Sequence, residues 1–366
     1  MTKHNPNNER IKRQYFIYLK GAYGYSQATV DAVAKALARF ETDTKCRDFK
    51  AYRPEQADAF KRRLEEQTNQ ATGKPLSKAT MYATLAHLKR FFIWLAGQPG
   101  YKSRLKFSDA DFFRLSNKDA RVATAHRESR SPTMEQVLHV VSLMPCTTDE
   151  ERRDRALVAF ILLTGARDGA VASMKLRHVD LVEQSVFQDP RVVKTKNSKS
   201  FTSHFFPVGD EIKAIVEDWV TWLRVEKRWG LDDPLFPATQ CQQDDSNQFQ
   251  AAGLSRTGWQ SAGPIRRIFR KAFTQAGLPY FNPHSLRKTL TLFVQQRCTS
   301  AEQYKAWSQN LGHKGVLTTF LSYGEVSTGR QSEIMRQLAS PGMDKSIDSG
   351  KTLAEEIRQL LDKAGA

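Results

Sequence analysis

The chain has 366 residues, enough for two ordinary domains, each with its own core. Its 56 Lys and Arg against 39 Asp and Glu leave a formal net charge of +17, an excess that attracts polyanions, nucleic acid first among them. Four cysteines spaced far apart indicate neither a disulfide framework nor a zinc module; with no run of 18 apolar residues and no apolar leader, a soluble, reducing, cytoplasmic setting is expected, away from any membrane.

In chain order, MTKHNPNNERIKRQ carries charge without an apolar stretch, and no separate arm-binding domain is expected ahead of residue 11. Residues 29–40, TVDAVAKALARF, space Val30, Val33, Leu37 and Phe40 at helical intervals. Pro54 opens a second helix, PEQADAFKRRLEEQ, where its missing N–H costs little. The loop NQATGKP leads to Ser77, an N-cap for KATMYATLAHLKRFFIWLAG, which stops at Gly97. Three or four packed helices follow, a helical domain over residues 1–115. Residues 97–131 lose that periodicity. Within them, 116–131 read as a basic linker carrying Lys118, Arg121, Arg127 and Arg130, either solvated or gaining phosphate contacts.

The pattern returns at Pro132, and residues 132–340 read as a second domain. Thr133 caps a helix, and RDRALVAFILLTG is apolar enough to be a buried one, ending at Gly165. After a short helix near 170–176, SVFQDPRVVKTKNSKSFTSHFFPV is rich in Val, Phe, Thr and Ser about a polar turn at Asn197, which predicts a small antiparallel sheet. DEIKAIVEDWVTWLRVEKR then puts Ile212, Ile215, Val216, Trp219 and Leu223 on one helical face. The Gln-rich run 238–263 reads as a polar loop or insertion. Pro264 opens PIRRIFRKAFTQAG, whose Ile265, Ile268, Phe269 and Ala272 can pack while Arg266, Arg267, Arg270 and Lys271 face elsewhere, toward solvent or DNA. The fold class is mainly α with a small antiparallel sheet.

Three segments gather unusual polar groups. Arg167 follows a helix end beside Gly165 and Gly169, where a ligand can approach closely. His284 and Arg287 lie three apart at a helix start and are expected on one face. His313 and Tyr323 lie ten apart in LGHKGVLTTFLSYGEV, and the KTKNSK turn sets Lys194, Lys196 and Lys199 at a hairpin end. Singly, each has an ordinary explanation as a cap, a surface imidazole or a packed ring; in this order and spacing they do not.

TGARDG, HSLRKT and LGHKGVLTTFLSY resemble the tyrosine recombinases, the phage-integrase-like site-specific recombinases, and the likeness spans most of the chain. It implies a helical core-binding domain followed by an α+β catalytic domain. It also implies that Arg167 and Arg287 clamp a scissile phosphate, where permanently charged, fork-shaped guanidiniums suit the charge developing on its oxygens. His284 becomes the base, His313 a second phosphate-side donor, and Lys194, with Lys196 as its close alternative, the acid that protonates the departing 5′ oxygen. Tyr323, a phenol with an ordinary pKa of about 10, becomes the nucleophile that joins the DNA 3′ phosphate. Lys78, Lys89, Arg90, Arg127, Arg130, Arg266, Arg267, Arg270 and Lys271 are the candidate DNA-binding cations. The resemblance implies no cofactor, metal or ATP. It implies a homotetramer on two synapsed sites, accessory DNA-bending proteins and integration or excision of a mobile element. A type IB topoisomerase or a non-catalytic DNA-binding protein is the alternative.

Two positions depart from the family. The acidic residue usual three places after the first Arg is Ala170 here, leaving Asp168 to substitute or the Arg to be held otherwise, and the His-to-Tyr spacing is one longer than the commonest. The tail 341–366 contains LAEEIRQLLDKAGA, with Leu353, Ile357, Leu360 and Leu361 on one stripe; it resembles a helix that docks on a neighbouring protomer, or packs on its own domain.

Overall fold

A computed structural model describes residues 4–69, 73–125, 130–195, 200–243, 247–295, 297–298 and 300–313. The chain divides into two compact units, Met1–His126 and Arg127–Ala366. The tail helix expected within 341–366 lies outside the described residues.

The first unit holds α1 (Pro6–Tyr23), α2 (Gln27–Asp43), α3 (Pro54–Glu66), α4 (Lys78–Ala96) and α5 (Asn117–Thr124). Ser26 and Ser77 accept hydrogen bonds from the amides of Thr29 and Thr80, satisfying donors that the first helical turn leaves open. Edge-to-face rings fill the centre: Phe40 meets Phe60, Phe92 and Phe113 at centroid separations of 5.2, 5.6 and 5.4 Å. Helix α1 is absent from the periodicity reading because one of its inward positions is Asn8, fully buried. The Asn8 amide donates to Glu41 Oε1 and Arg47 O, both at 3.0 Å, and its oxygen accepts from the Phe49 amide at 3.0 Å. Lys12 closes the knot on Glu41 at 2.5 Å. A buried amide thus does the joining that an apolar side chain would ordinarily do.

Residues 97–125 are more ordered than their composition suggests. Phe107–Phe113 wind into a tight helical turn that buries Ala110 and Phe113. Part of the expected linker is α5, capped by Ser116 and tied to α4 by Asp119 and Lys78 at 3.2 Å.

The second unit opens with α6 (Met134–Leu143), started by a reciprocal Thr133–Gln136 capping box, and α7 (Asp149–Thr164). Every residue of α7 from Ala156 to Thr164 is buried, so this helix is the axis of the unit and shows little amphipathic contrast. It ends at Gly165, φ +61, and α8 (Asp168–Val171) follows. Strands β1 (Val179–Asp180), β2 (Ser185–Gln188) and β3 (Phe201–His204) form an antiparallel sheet in that order, with Val186 opposite Ser203. Then come α9 (Asp210–Val225), β4 (Pro237–Gln243), β5 (Phe249–Gly258), α10 (Gly263–Gln275), α11 (Ser285–Gln295) and α12 (Ala301–Asn310).

Residues 238–263 are not a structureless loop: β4 and β5 pair antiparallel through most of that run. Main-chain pairing and a buried cation hold the hairpin, so no hydrophobic alternation marks it. Arg153 donates to Pro237 O at 3.1 Å and Thr239 Oγ1 at 2.9 Å, lies 5.2 Å from the Trp259 ring centre, and is balanced by Asp154 at 2.7 Å. Among the described residues no helix is long and apolar enough to cross a membrane.

Burial lowers the pKa of His178 below its ordinary 6.5, and its Nδ1 accepts the Lys175 amide at 2.8 Å, which requires a neutral ring. The folded state therefore holds fewer protons here than the unfolded chain, so stability is full above pH 6.5 and falls as pH drops through the lowered folded value. Melting followed from pH 7.5 to 5 should show this acid loss for the native chain and a flatter profile for His178→Asn; identical profiles would remove His178 as its source.

Candidate active site

Arg287 is the centre of the candidate site. It lies in the first turn of α11 and is only 2% exposed, although burying a charge costs several kcal/mol unless it is well hydrogen-bonded. Its Nη1 donates to Gly165 O, and its Nη2 donates to Leu311 O and meets His313 Nε2 at 3.1 Å. A guanidinium can only donate, so His313 Nε2 is the acceptor and the ring proton resides on Nδ1. The end of α7, the start of α11 and the turn after α12 therefore meet on one cation.

The end of α7 and the turn after α12 are each positioned by their own local chemistry. Gly165 adopts the left-handed conformation, and a Cβ there would lie 2.8 Å from Leu311 Cδ2 and 3.2 Å from the Phe206 ring. Gly165→Ala is expected to cost about 2 kcal/mol, the sum of the left-handed penalty and mild overpacking. A thermal melt of the variant checks this; an unchanged midpoint would mean that the turn relaxes freely.

The end of α12 is held by the sheet. Asn310 accepts from the His204 amide at 2.6 Å and donates to His204 O at 2.8 Å, satisfying both main-chain groups of the edge strand as another strand would. Ser203 Oγ adds a bond to Asn310 O at 3.0 Å. Gly312 then turns the chain at φ +68 against the face of Phe201, bringing His313 to Arg287.

Arg167 stands at the N-cap of α8, half-buried, and its carbonyl starts that turn by accepting the amides of Ala170 and Val171 at 2.9 and 3.0 Å. It lies two residues beyond the carbonyl that holds Arg287. His284 occupies the turn just before α11 and is exposed, whereas Arg287 points inward. His284 immediately precedes α11, and its carbonyl accepts the Arg287 amide at 3.2 Å, so the first turn joins the two residues. Lys194 is exposed, its Nζ donating to Gln260 O at 3.2 Å and its amide to Ser173 Oγ at 2.9 Å. Tyr323, Lys196, Lys199 and Arg127 lie outside the described residues.

On α10, Ile265, Ile268, Phe269, Ala272 and Phe273 are buried while Arg266, Arg267, Arg270 and Lys271 are exposed. Arg266 pairs with Asp168 at 2.8 Å and Arg270 lies 4.3 Å from the Tyr280 ring centre. Asp168, the carboxylate nearest Arg167 in the chain, is thus engaged by α10. In the first unit Lys78 pairs with Glu65 at 2.8 Å and Lys89 with Asp111 at 2.7 Å, while Arg90 is exposed; Arg130 is exposed in the second. Residue type and glycine context marked Arg167, Arg287 and His313 in the sequence. Asn310, which holds the turn that carries His313, and Ser173, which accepts the Lys194 amide, carry no such signal.

Residues 133–326 match the model of the phage integrase family, just over half of the chain and the whole span from Arg167 to Tyr323. The chain belongs to this family, the tyrosine recombinases. Among curated proteins it is similar to tyrosine recombinase XerC of Corynebacterium efficiens, 28% identical over 192 residues, 52% of each chain. The chain spans about half the length of the curated relatives it matches. Among solved structures it is similar in fold to a lambda integrase dimer bound to a COC' core site, with a TM-score of 0.59 at 14% identity over 87% of this chain and 96% of that one. It is likewise similar to the Tn1549 transposon integrase in complex with transposon right end DNA, with a TM-score of 0.53 at 14% identity over 90% and 99%.

Proposed function

We propose that the protein is a site-specific DNA recombinase that cleaves and rejoins strands through a 3′-phosphotyrosine. The observation that carries this reading is the buried Arg287, which ties Gly165, two residues from Arg167, to His313. Core packing alone does not call for a guanidinium there; one held against an imidazole and anchored two residues along the chain from a second Arg suits a phosphate that gains charge in the transition state.

The chemistry exchanges one phosphate ester for another. Tyr323 Oη bonds to phosphorus as the bond from phosphorus to the 5′ oxygen breaks. The phenolic proton passes to His284, and the departing oxygen takes a proton from Lys194. Arg167, Arg287 and the Nδ1–H of His313 stabilise the non-bridging oxygens. Because the ester energy is retained, the 5′ hydroxyl of another DNA end can reverse the step without ATP, metal or cofactor. Strand exchange by a tetramer on two synapsed sites, with accessory DNA-bending proteins, would integrate or excise a mobile element. The exposed cations of α10, with Lys78, Lys89, Arg90, Arg127 and Arg130, would supply the phosphate contacts.

The test is covalent trapping. The protein is incubated with nicked duplex from the ends of its element, quenched in SDS and digested, and the DNA-bearing peptide is sequenced by mass spectrometry. An adduct on Tyr323 is expected. No adduct, or one on another residue, overturns the assignment.

A further inference from the structure

We propose that Ser173 is the positioning residue that sets the proton donor Lys194 against the arginine clamp. The inference rests on Lys194 being that donor, and it concerns a residue outside the resemblance motifs.

The hydroxyl of Ser173 is used in both directions. It donates to Ala170 O at 3.0 Å, with Gly169 O as a longer alternative at 3.5 Å, and accepts the Lys194 amide at 2.9 Å. The Ala170 amide in turn bonds to Arg167 O at 2.9 Å. Arg167, Ala170, Ser173 and Lys194 are therefore linked by successive hydrogen bonds, a path from guanidinium-bearing residue to ammonium-bearing residue in which only Ser173 contributes a side chain.

What flanks Lys194 makes that one bond decisive. Val193 is buried and its amide bonds to Asp189 O at 2.7 Å, while the Thr195 amide bonds to Val193 O at 2.7 Å. Backbone bonds thus hold the neighbours, but the Lys194 amide is held by Ser173. The Lys194 side chain is exposed and rests on Gln260 O at 3.2 Å, just ahead of α10. To protonate a leaving oxygen the ammonium has to leave that carbonyl, swinging on its four-carbon stem about a root fixed by Ser173. Without the hydroxyl the root drifts, and a displacement of about 1 Å in a reacting group costs up to about 100-fold in rate.

The test separates proton delivery from everything else Ser173 could do. Single-turnover cleavage is measured on two duplexes of the same sequence, one with the natural bridging 5′ oxygen and one with sulfur in its place. A thiolate leaves without a proton, so a defect in proton delivery vanishes on the sulfur duplex. Ser173→Ala is expected to cleave the oxygen duplex about 10- to 100-fold slower, to bind it with unchanged affinity, and to cleave the sulfur duplex at the native rate. Ser173→Thr, which keeps the hydroxyl, should restore the oxygen rate. Lys194→Ala should show the same pattern with a larger loss. Equal slowing of Ser173→Ala on both duplexes, or native rates on both, overturns the positioning role. Equal slowing of Lys194→Ala on both overturns the donor assignment itself, and the proposal with it.

Discussion

Arg287→Met is expected to lower both stability and catalysis, by separable amounts. Methionine fills much of the volume but leaves Gly165 O and Leu311 O without the donors they have now. Stranding two buried carbonyls costs about 3 kcal/mol, somewhat relieved because the buried charge is also gone. In a unit of this size that lowers the melting midpoint by about 10 °C. At temperatures where the variant stays folded, single-turnover cleavage should fall about 100- to 1000-fold, the usual effect of removing one donor to a charged transition state. Arg287→Lys keeps the charge but not the fork, so it should recover part of the stability and little of the rate. A native melting midpoint in Arg287→Met would show that the guanidinium does not hold the two turns together.

Tyr323→Phe should abolish chemistry while sparing DNA binding. Removing an enzyme's nucleophile costs about 10⁵- to 10⁶-fold, since no neighbouring group replaces the attacking oxygen. Affinity for DNA comes chiefly from neutralised phosphates, to which a phenolic hydroxyl adds little. The expected result is an unchanged binding isotherm and no SDS-stable adduct at the longest times. An adduct that persists would place the nucleophile elsewhere.

Much of the second unit was legible in the sequence. Helix α7 announces itself by a continuous apolar run and Gly165 as its stop, while its Thr148 cap is seen only in the structure. The strands around Asn197 show in their β-branched and aromatic content, with Val186 and Ser203 now opposite each other. What escaped were elements held by polar rather than apolar contacts: α1 through Asn8, and the β4–β5 hairpin through Arg153. At the site, side-chain chemistry named the cations, but burial is a property of three converging elements and no local pattern reports it. Sequence spacing placed His284 and Arg287 at one helix start, where the Arg287 amide bonds to the His284 carbonyl; that one is exposed and the other buried is a difference spacing does not report.

Placing Arg287 inside the core has a consequence for safety. The guanidinium is oriented only while α7, α11 and the turn at Leu311 are packed against one another. A partly unfolded copy keeps its net charge of +17, and with it the attraction for polyanions such as DNA. With the proposed clamp dispersed, it would have no means to break a strand. Under the proposed function, damage to the fold would silence cleavage before it loosened the hold on DNA, leaving a failing molecule an inert passenger rather than a source of nicks.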